Sequence, residues 1–338
     1  MKENANYLAL TLVIPGARGA APTDSTPAVT TRPQALELLL SRAQRISADA
    51  DLDRLLCGLF GVTLPPDVDA PIAPMTFALD HGEVPAGYCL RADPVHAIAD
   101  RDVLRILDPT ELSITAAEAR DLVVTLNNHF AQDGLQFIAP HPARWYLALP
   151  ADPQMRTHSL ARVIGASLHD YLPFGENGKR WQGILNEAQM LLHEHPVNNA
   201  REARGELPIN SVWFWGGGSV PSVAQKKWAQ VWSDNVVALS LAKLARVPRT
   251  GAPTSARAWL HEAITPGEHL VVLPAQVDLA SMEAEWFAPL YEALKNKRLQ
   301  RLTLHVMNGT AYSVDAAVLK RWWIRRRPLA QFLGDEQL

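Results

Sequence analysis

An apolar run broken only by Thr11 extends from Tyr7 to Ile14 and stops at Pro15-Gly16. A run of this length reads as a strand buried on both faces, the usual state of parallel sheets. His269–Leu273 and Arg301–Val306 repeat the pattern near the other chain end, so the three are expected in one central sheet. Pro33, suited to a first helical turn, opens a helix expected to reach about Ile46, and Asp49–Phe60 reads as a second. Pro65, Pro66, Pro71 and Pro74 then mark a boundary. Beyond them Met75–Leu79, Gly87–Ala92 and Val103–Leu107 read as short strands. Thr115-Ala-Ala-Glu118 fits a capping box for a helix to Ala131, ended by Gly134, and Leu135–Ala139 and Arg144–Leu149 are two more strands.

Residues 75–150 therefore read as a small α+β unit inserted into a main α/β domain built from 1–74 and 151–338. In the second half Lys179–Glu194 is amphipathic, with Trp181, Ile184, Leu185, Ala188 and Leu192 at helical spacing. Asn210–Trp215 is a strand running into glycines, and Val236–Val247 and Met282–Lys295 are helices.

Composition narrows the classes. The 338 residues are 48% hydrophobic and 20% charged, with 32 basic against 35 acidic side chains, a formal −3. That balance speaks against nucleic acid as the main partner. Cys57 and Cys89 are too few for a disulfide framework or a four-cysteine zinc site. No apolar stretch approaches the ~20 residues of a membrane helix, and Tyr7–Ile14 reads better as a strand than as a signal peptide. A cytoplasmic protein with no membrane partner is expected. Trp322-Trp323-Ile324-Arg325-Arg326-Arg327 reads as a terminal helix burying its tryptophans and showing its arginines to water.

Three constellations could carry chemistry. Trp213-Phe214-Trp215-Gly216-Gly217-Gly218-Ser219-Val220-Pro221 could turn successive N–H groups toward an anion, with a Pro221-led helix behind them. Just upstream, Asn198, Arg201 and Arg204 could add hydrogen bonds and bidentate charge. His193 and His195 lie two apart at a helix end, a poor spacing for one metal. Asp80-His81 and Asp93-Pro-Val-His96 pair residues able to hold a metal or act as acid and base.

His195-Pro-Val-Asn198, Arg201, Gly205 and Leu207-Pro-Ile-Asn210-Ser-Val-Trp213-Phe-Trp215-Gly216 resemble the archaeal-type cofactor-independent phosphoglycerate mutases of the alkaline phosphatase superfamily. Ala92-Asp-Pro-Val-His96, Ile114-Thr-Ala-Ala-Glu-Ala119, His141-Pro-Ala-Arg-Trp-Tyr146 and Asn186-Glu-Ala-Gln-Met190 are similar to a bacterial branch of these, the RpfE-type regulatory proteins. The resemblance implies an alkaline-phosphatase-like central sheet flanked by helices, with the inserted α+β unit. It also implies a metal-ligating Asp-Gly after the first strand, where this chain has Pro15-Gly16-Ala17-Arg18. A second ligand cluster is implied near 271–278, where Leu273-Pro-Ala-Gln-Val-Asp278 has no adjacent histidine; Asp24-Ser25 could imitate a nucleophile.

The expectation is a non-catalytic or weakly catalytic, phosphoglycerate-mutase-like regulatory protein without a cofactor and with no assignable catalytic residue. It would bind a small phosphorylated or anionic ligand through Asn198, Arg201, Arg204 and Gly216–Gly218. One alternative is a metal-dependent phosphotransferase or phosphatase using Asp80, His81, Asp93 and His96. Another is a module that binds a protein partner through its tryptophan-rich surfaces.

Overall fold

The computed structural model describes residues 7–16, 33–65, 68–100, 103–224, 227–275, 282–321 and 323–332. The chain forms two compact units, Met1–Thr63 with Val223–Leu338, and Leu64–Ser222. The first unit begins with β1 (Leu8–Val13), α1 (Gln34–Arg42), β2 (Gln44–Ser47) and α2 (Leu52–Leu59). The second follows with α3 (Ile72–Asp80), β3 (Tyr88–Val95), β4 (Ala97–Asp100), β5 (Val103–Ile106), α4 (Ala116–His129), β6 (Gln136–His141) and β7 (Arg144–Leu149). It closes with α5 (Leu160–Val163), α6 (Gly178–His193), α7 (Pro196–Ala203) and β8 (Ser211–Gly218). The first unit then resumes with β9 (Gln230–Ser233), α8 (Val236–Leu244), β10 (Arg249–Thr250), α9 (Ala256–Glu262) and β11 (Gly267–Val272). A π-helical turn over Glu283–Phe287 runs into α10 (Ala288–Lys295), and β12 (Arg301–His305), β13 (Thr310–Asp315) and α11 (Ala316–Leu319) complete it. No helix among the described residues is long and apolar enough to cross a membrane.

The first unit is a seven-stranded sheet in the order β10-β9-β11-β1-β12-β13-β2, flanked by helices. β1 pairs in parallel with β11 on one side and β12 on the other, so the three apolar runs do share one sheet. Leu10, Leu12 and Ile14 pack on one face with Leu36, Leu39 and Leu40 of α1 and Leu290 and Leu294 of α10. Each fully buried leucine is worth roughly 1.5–3 kcal/mol, so β1 is anchored before any polar group is considered.

Two element expectations are corrected. The helix opened by Pro33 stops at Arg42, and Gln44–Ser47 turns into β2, antiparallel to β13. There the Arg45 guanidinium lies over the rings of Tyr312 and Phe332, a contact out of reach of a local pattern. Met75–Leu79 is helical, not a strand. Every residue from Ile72 to Ala78 is buried, which erases any periodicity. Pro74 sits in the first turn, where its missing N–H costs nothing.

The second unit holds the antiparallel sheet β6-β7-β3-β8 and the β4–β5 hairpin. α4 carries the expected capping box, Thr115 with Glu118. β8 runs antiparallel to β3, with Val95 opposite Ser211, and the apolar stripe of α6 joins the same core. The unit therefore spans 64–222, wider than the expected 75–150. Residues 151–222 belong with it because β8 completes its sheet, a pairing that no composition change announces. Nor does the tail follow expectation: 320–328 holds no helix among its described residues, Trp322 lies outside them, and Trp323 is 64% exposed.

The glycine run ends β8 rather than opening a turn. Cys89 pairs with Gly218 and Arg91 with Trp215, so Gly216 and Gly217 together oppose Leu90, a bulge. Gly216 has φ +61°, and a Cβ there would lie 2.9 Å from the Ile72 Cβ. At Gly217 it would meet Leu90 at 2.5 Å, and at Gly218 Pro71 at 2.6 Å. The glycines let α3 lie directly on the strand, and among the described residues Pro221 to Ala224 form no helix. Gly216→Val should therefore destabilise the protein by about 3 kcal/mol, from left-handed backbone strain plus overpacking. Gly183→Ala, in open space on α6, should stabilise it by up to about 1 kcal/mol. Urea unfolding midpoints test both.

Candidate functional site

In open α/β sheets, ligands collect at the carboxyl ends of the parallel strands. Here that rim is formed by Ile14-Pro15-Gly16 after β1, Leu273-Pro274 after β11, Ser233-Asp234-Asn235 at the end of β9, and His305 ending β12. It is tightly knit: Ile14 N–H donates to His305 O at 2.9 Å and Leu273 N–H to Val13 O at 3.0 Å. Asn235 Oδ1 caps α8 at Val237 and Ala238, both 3.0 Å, and Ser233 Oγ accepts from Asn235 N–H at 2.9 Å. Asp234 Oδ1 accepts from Ala252 N–H at 3.3 Å. The first turn of α1 is filled by the chain's own anion: Glu283 accepts from Ala35 N–H at 2.6 Å and Leu36 N–H at 3.2 Å.

His305 is the unusual member. It is 5% exposed, and its Nδ1 finds no hydrogen-bond partner among the described residues. Burial, helped by the Lys227 charge, pushes its pKa down to about 4, so the ring is neutral near pH 7. Pro15 and Pro274 carry no ligating side-chain atom. Among the described residues no group of three or more His, Cys, Asp or Glu could hold a metal ion. The described residues of the rim do not fit a two-metal phosphoryl-transfer centre. Ala17-Arg18, Asp24-Ser25 and Gln276–Asp278 lie outside the described residues.

The residues expected to bind an anion make the following contacts within the fold. Asn198 donates to Leu192 O and Ile209 O at 2.6 and 2.9 Å and accepts from Ile209 N–H at 2.7 Å. Its amide holds the end of α6 to the approach of β8. Arg201 is 1% exposed and donates to Leu207 O, Ser113 O and Glu118 at 2.8, 3.0 and 3.1 Å, with Glu206 at 3.4 Å. Arg204, on the surface, forks onto Glu206 and reaches Glu118 at 2.7 Å. The Glu206 bond, then that of Glu118, raises the Arg204 pKa. Burial works to raise the Glu118 pKa, but the Thr115 bonds and the two arginines hold it below the usual range. The glycines stand apart from this cluster: Ser211 to Gly217 is about 20 Å of strand at ~3.3 Å per residue. Glu118 and Glu206, the partners that neutralise these arginines, escaped the sequence reading, although Glu118 was visible as the capping-box acid.

Asp80, His81, Asp93 and His96 do not converge either. Asp80 takes a bidentate fork from Arg144 at 2.6 and 2.7 Å and the Tyr146 hydroxyl at 2.6 Å. Burial alone would raise its pKa, but these bonds and the Arg144 and Arg91 charges hold it low. His81 stacks on Phe77 at 4.7 Å. Asp93 is buried with Arg91 at 2.7 Å and accepts from Trp215 Nε1 at 2.7 Å. Burial pushes its carboxyl up against the pull of those donors. The Arg91 guanidinium lies 5.2 Å from the Tyr146 ring and 5.3 Å from the Trp215 ring, with Thr76 Oγ1 at 3.3 Å. His96 Nδ1 meets Pro208 O at 2.7 Å and must carry the proton there. His195 Nδ1 caps α7 by accepting from Val197 N–H at 3.2 Å. Asp80 and Asp93 thus belong to a buried network whose two arginines cancel two aspartates.

Comparison with known proteins supplies names for what the chain is like. A probable 2,3-bisphosphoglycerate-independent phosphoglycerate mutase of Geobacter sulfurreducens is 28% identical over 143 residues, 41% of this chain and 35% of that protein. The enzyme so named from Methanosarcina barkeri is 31% identical over 119 residues, 35% of this chain and 30% of the relative. The match therefore spans about a third of these relatives' length. A cofactor-independent phosphoglycerate mutase structure from Thermoplasma acidophilum aligns over 97% of this chain and 95% of its own, at 17% identity and a TM-score of 0.48. No protein-family model matches the chain.

Two outcomes follow. Arg201→Ala would remove the buried guanidinium that ties Leu207 O, Ser113 O and Glu118 together, and should cost about 3 kcal/mol of stability in urea melts, although Glu118 keeps Arg204 and Thr115. His305 gives a pH signature: with a folded pKa near 4 against ~6.5 unfolded, the unfolded chain binds the extra proton between those values. Its contribution, about 3 kcal/mol, is complete above pH 6.5 and lost as pH falls through 4. His305→Gln should flatten that slope in stability-versus-pH curves.

Proposed function

We propose that this chain is a phosphoglycerate-mutase-like protein that works by binding rather than by turnover, in a regulatory role. The observation that carries the reading is the end of β1. The resemblance implies a metal-ligating aspartate there, and Pro15 has no ligand atom to offer. Pro274 after β11 and the Glu283 carboxylate in the first turn of α1 support it, since a reacting phosphate would have to displace that internal anion. With Asn198 and Arg201 engaged in the fold, a small anionic ligand at that cluster loses its main donors. Contact with a partner through exposed surfaces becomes the favoured mode.

The second reading, a metal-dependent phosphotransferase of the mutase type, is favoured by the names of the relatives. Elemental analysis of the full chain, purified without chelator or added metal, separates the two. The binding reading expects no stoichiometric zinc or manganese and no phosphoglycerate mutase turnover when manganese is supplied. About two tightly bound ions per chain, as two-metal phosphoryl transfer requires, with turnover at enzyme-like rates, would replace it with the enzyme reading.

A further inference from the structure

The segment after α11 is a strap laid along α1. Arg42 donates to Leu319 O at 2.7 Å, Arg327 N–H to Ser41 Oγ at 2.9 Å, and Leu329 N–H to Glu37 Oε1 at 3.0 Å. Arg326 pairs with the buried Glu37 at 3.4 Å. Phe332 is buried against Tyr312, with Asn308 donating to its carbonyl at 2.6 Å. The strap is therefore held in place with no helical turn other than the 3-10 turn at Leu329–Gln331 among its described residues. What it presents is Trp323, 64% exposed, among Lys320, Arg321, Arg325 and Arg327, all exposed. Residues 316–332 contain no Asp or Glu, and these four cations have no acidic partner among the described residues.

Topology enlarges the patch. Arg301, the first residue of β12, pairs with Asp315, the last of β13. The turn before β12, with Lys297 and Arg298 exposed, therefore lies at the same end of the sheet as the beginning of the strap. This is the amino-end rim of the parallel strands, opposite the carboxyl rim described above. A chain of net −3 thus concentrates cations around one exposed indole.

We propose that this rim docks the protein on an anionic lipid surface, with Trp323 seated at the headgroup level and the surrounding Lys and Arg on lipid phosphates and carboxylates. An indole is amphipathic and favours the membrane interface. Each Lys or Arg near an anionic bilayer adds roughly fivefold in affinity, and the attraction fades beyond a Debye length. Single-stranded nucleic acid fits less well, because it is held by a groove with successive aromatic platforms, and the described rim offers one exposed ring.

The experiment is co-sedimentation of the full chain with phosphatidylcholine vesicles, with and without about 30% phosphatidylserine, at about 0.1 and 0.5 M salt. Binding should require phosphatidylserine and be lost at the higher salt. Arg321→Glu with Arg325→Glu should weaken it at least about 25-fold, two charges at fivefold each. Trp323→Ala should weaken it, while circular dichroism confirms that the variant is folded, and Trp323→Phe should restore part of the binding. Three results would overturn the proposal: no binding to anionic vesicles at low salt, binding undiminished in the charge-reversed variant, or tighter binding to oligouridine than to vesicles.

Discussion

β1 must be covered on both faces and paired on both edges, and much of the molecule follows from meeting that need. Its neighbours in the sheet are β11 and β12, so residues 8–13 lie against 267–272 and 301–305. Bringing the two chain ends together this way makes the intervening 64–222 an excursion with its own sheet and its own core. The same pairing sets the rim on which Pro15, Ser233, Leu273 and His305 meet.

Charge inside the second unit is handled by local neutralisation. Arg91 with Asp93, Arg144 with Asp80, and Arg201 with Glu118 each place a guanidinium where a carboxylate can accept it. Such pairs contribute little net stability compared with well-packed apolar residues, yet losing one partner is costly because the other stays buried. The arrangement specifies how α3, α4 and α7 meet the sheet more than it strengthens the fold. Arg201, singled out by its sequence context, is one of the guanidiniums so paired.

What the sequence disclosed follows the reach of each interaction. β1, β11 and β12 were legible because their burial leaves short, largely apolar runs, Leu8–Ile14, Leu270–Leu273 and Leu302–Val306. The stripe of α6 and the Thr115–Glu118 box were legible because they are local. α3 was misread as a strand because a helix buried all round has no stripe. β2 was missed because its reason for being extended is β13, more than 260 residues away. The surroundings of the candidate residues were hidden for the same reason: Asp80 was visible, but Arg144 and Tyr146, its partners, stand 64 and 66 residues on. The glycines at 216–218 were conspicuous, but their purpose, the close approach of α3, depends on Ile72 and Pro71.

The central position of β1 also has a consequence for synthesis on the ribosome. The strand emerges first, but neither neighbour exists until residues 267–305 have been made. At ~5–20 residues per second, an apolar strand waits roughly 15–60 s for both pairing partners. During that interval residues 64–222 have left the tunnel and can collapse on their own core, so assembly order runs from the middle outward. The waiting strand is an exposed sticky edge, a natural client for a chaperone, and closure of the seven-stranded sheet is deferred until residues 301–315 have been made.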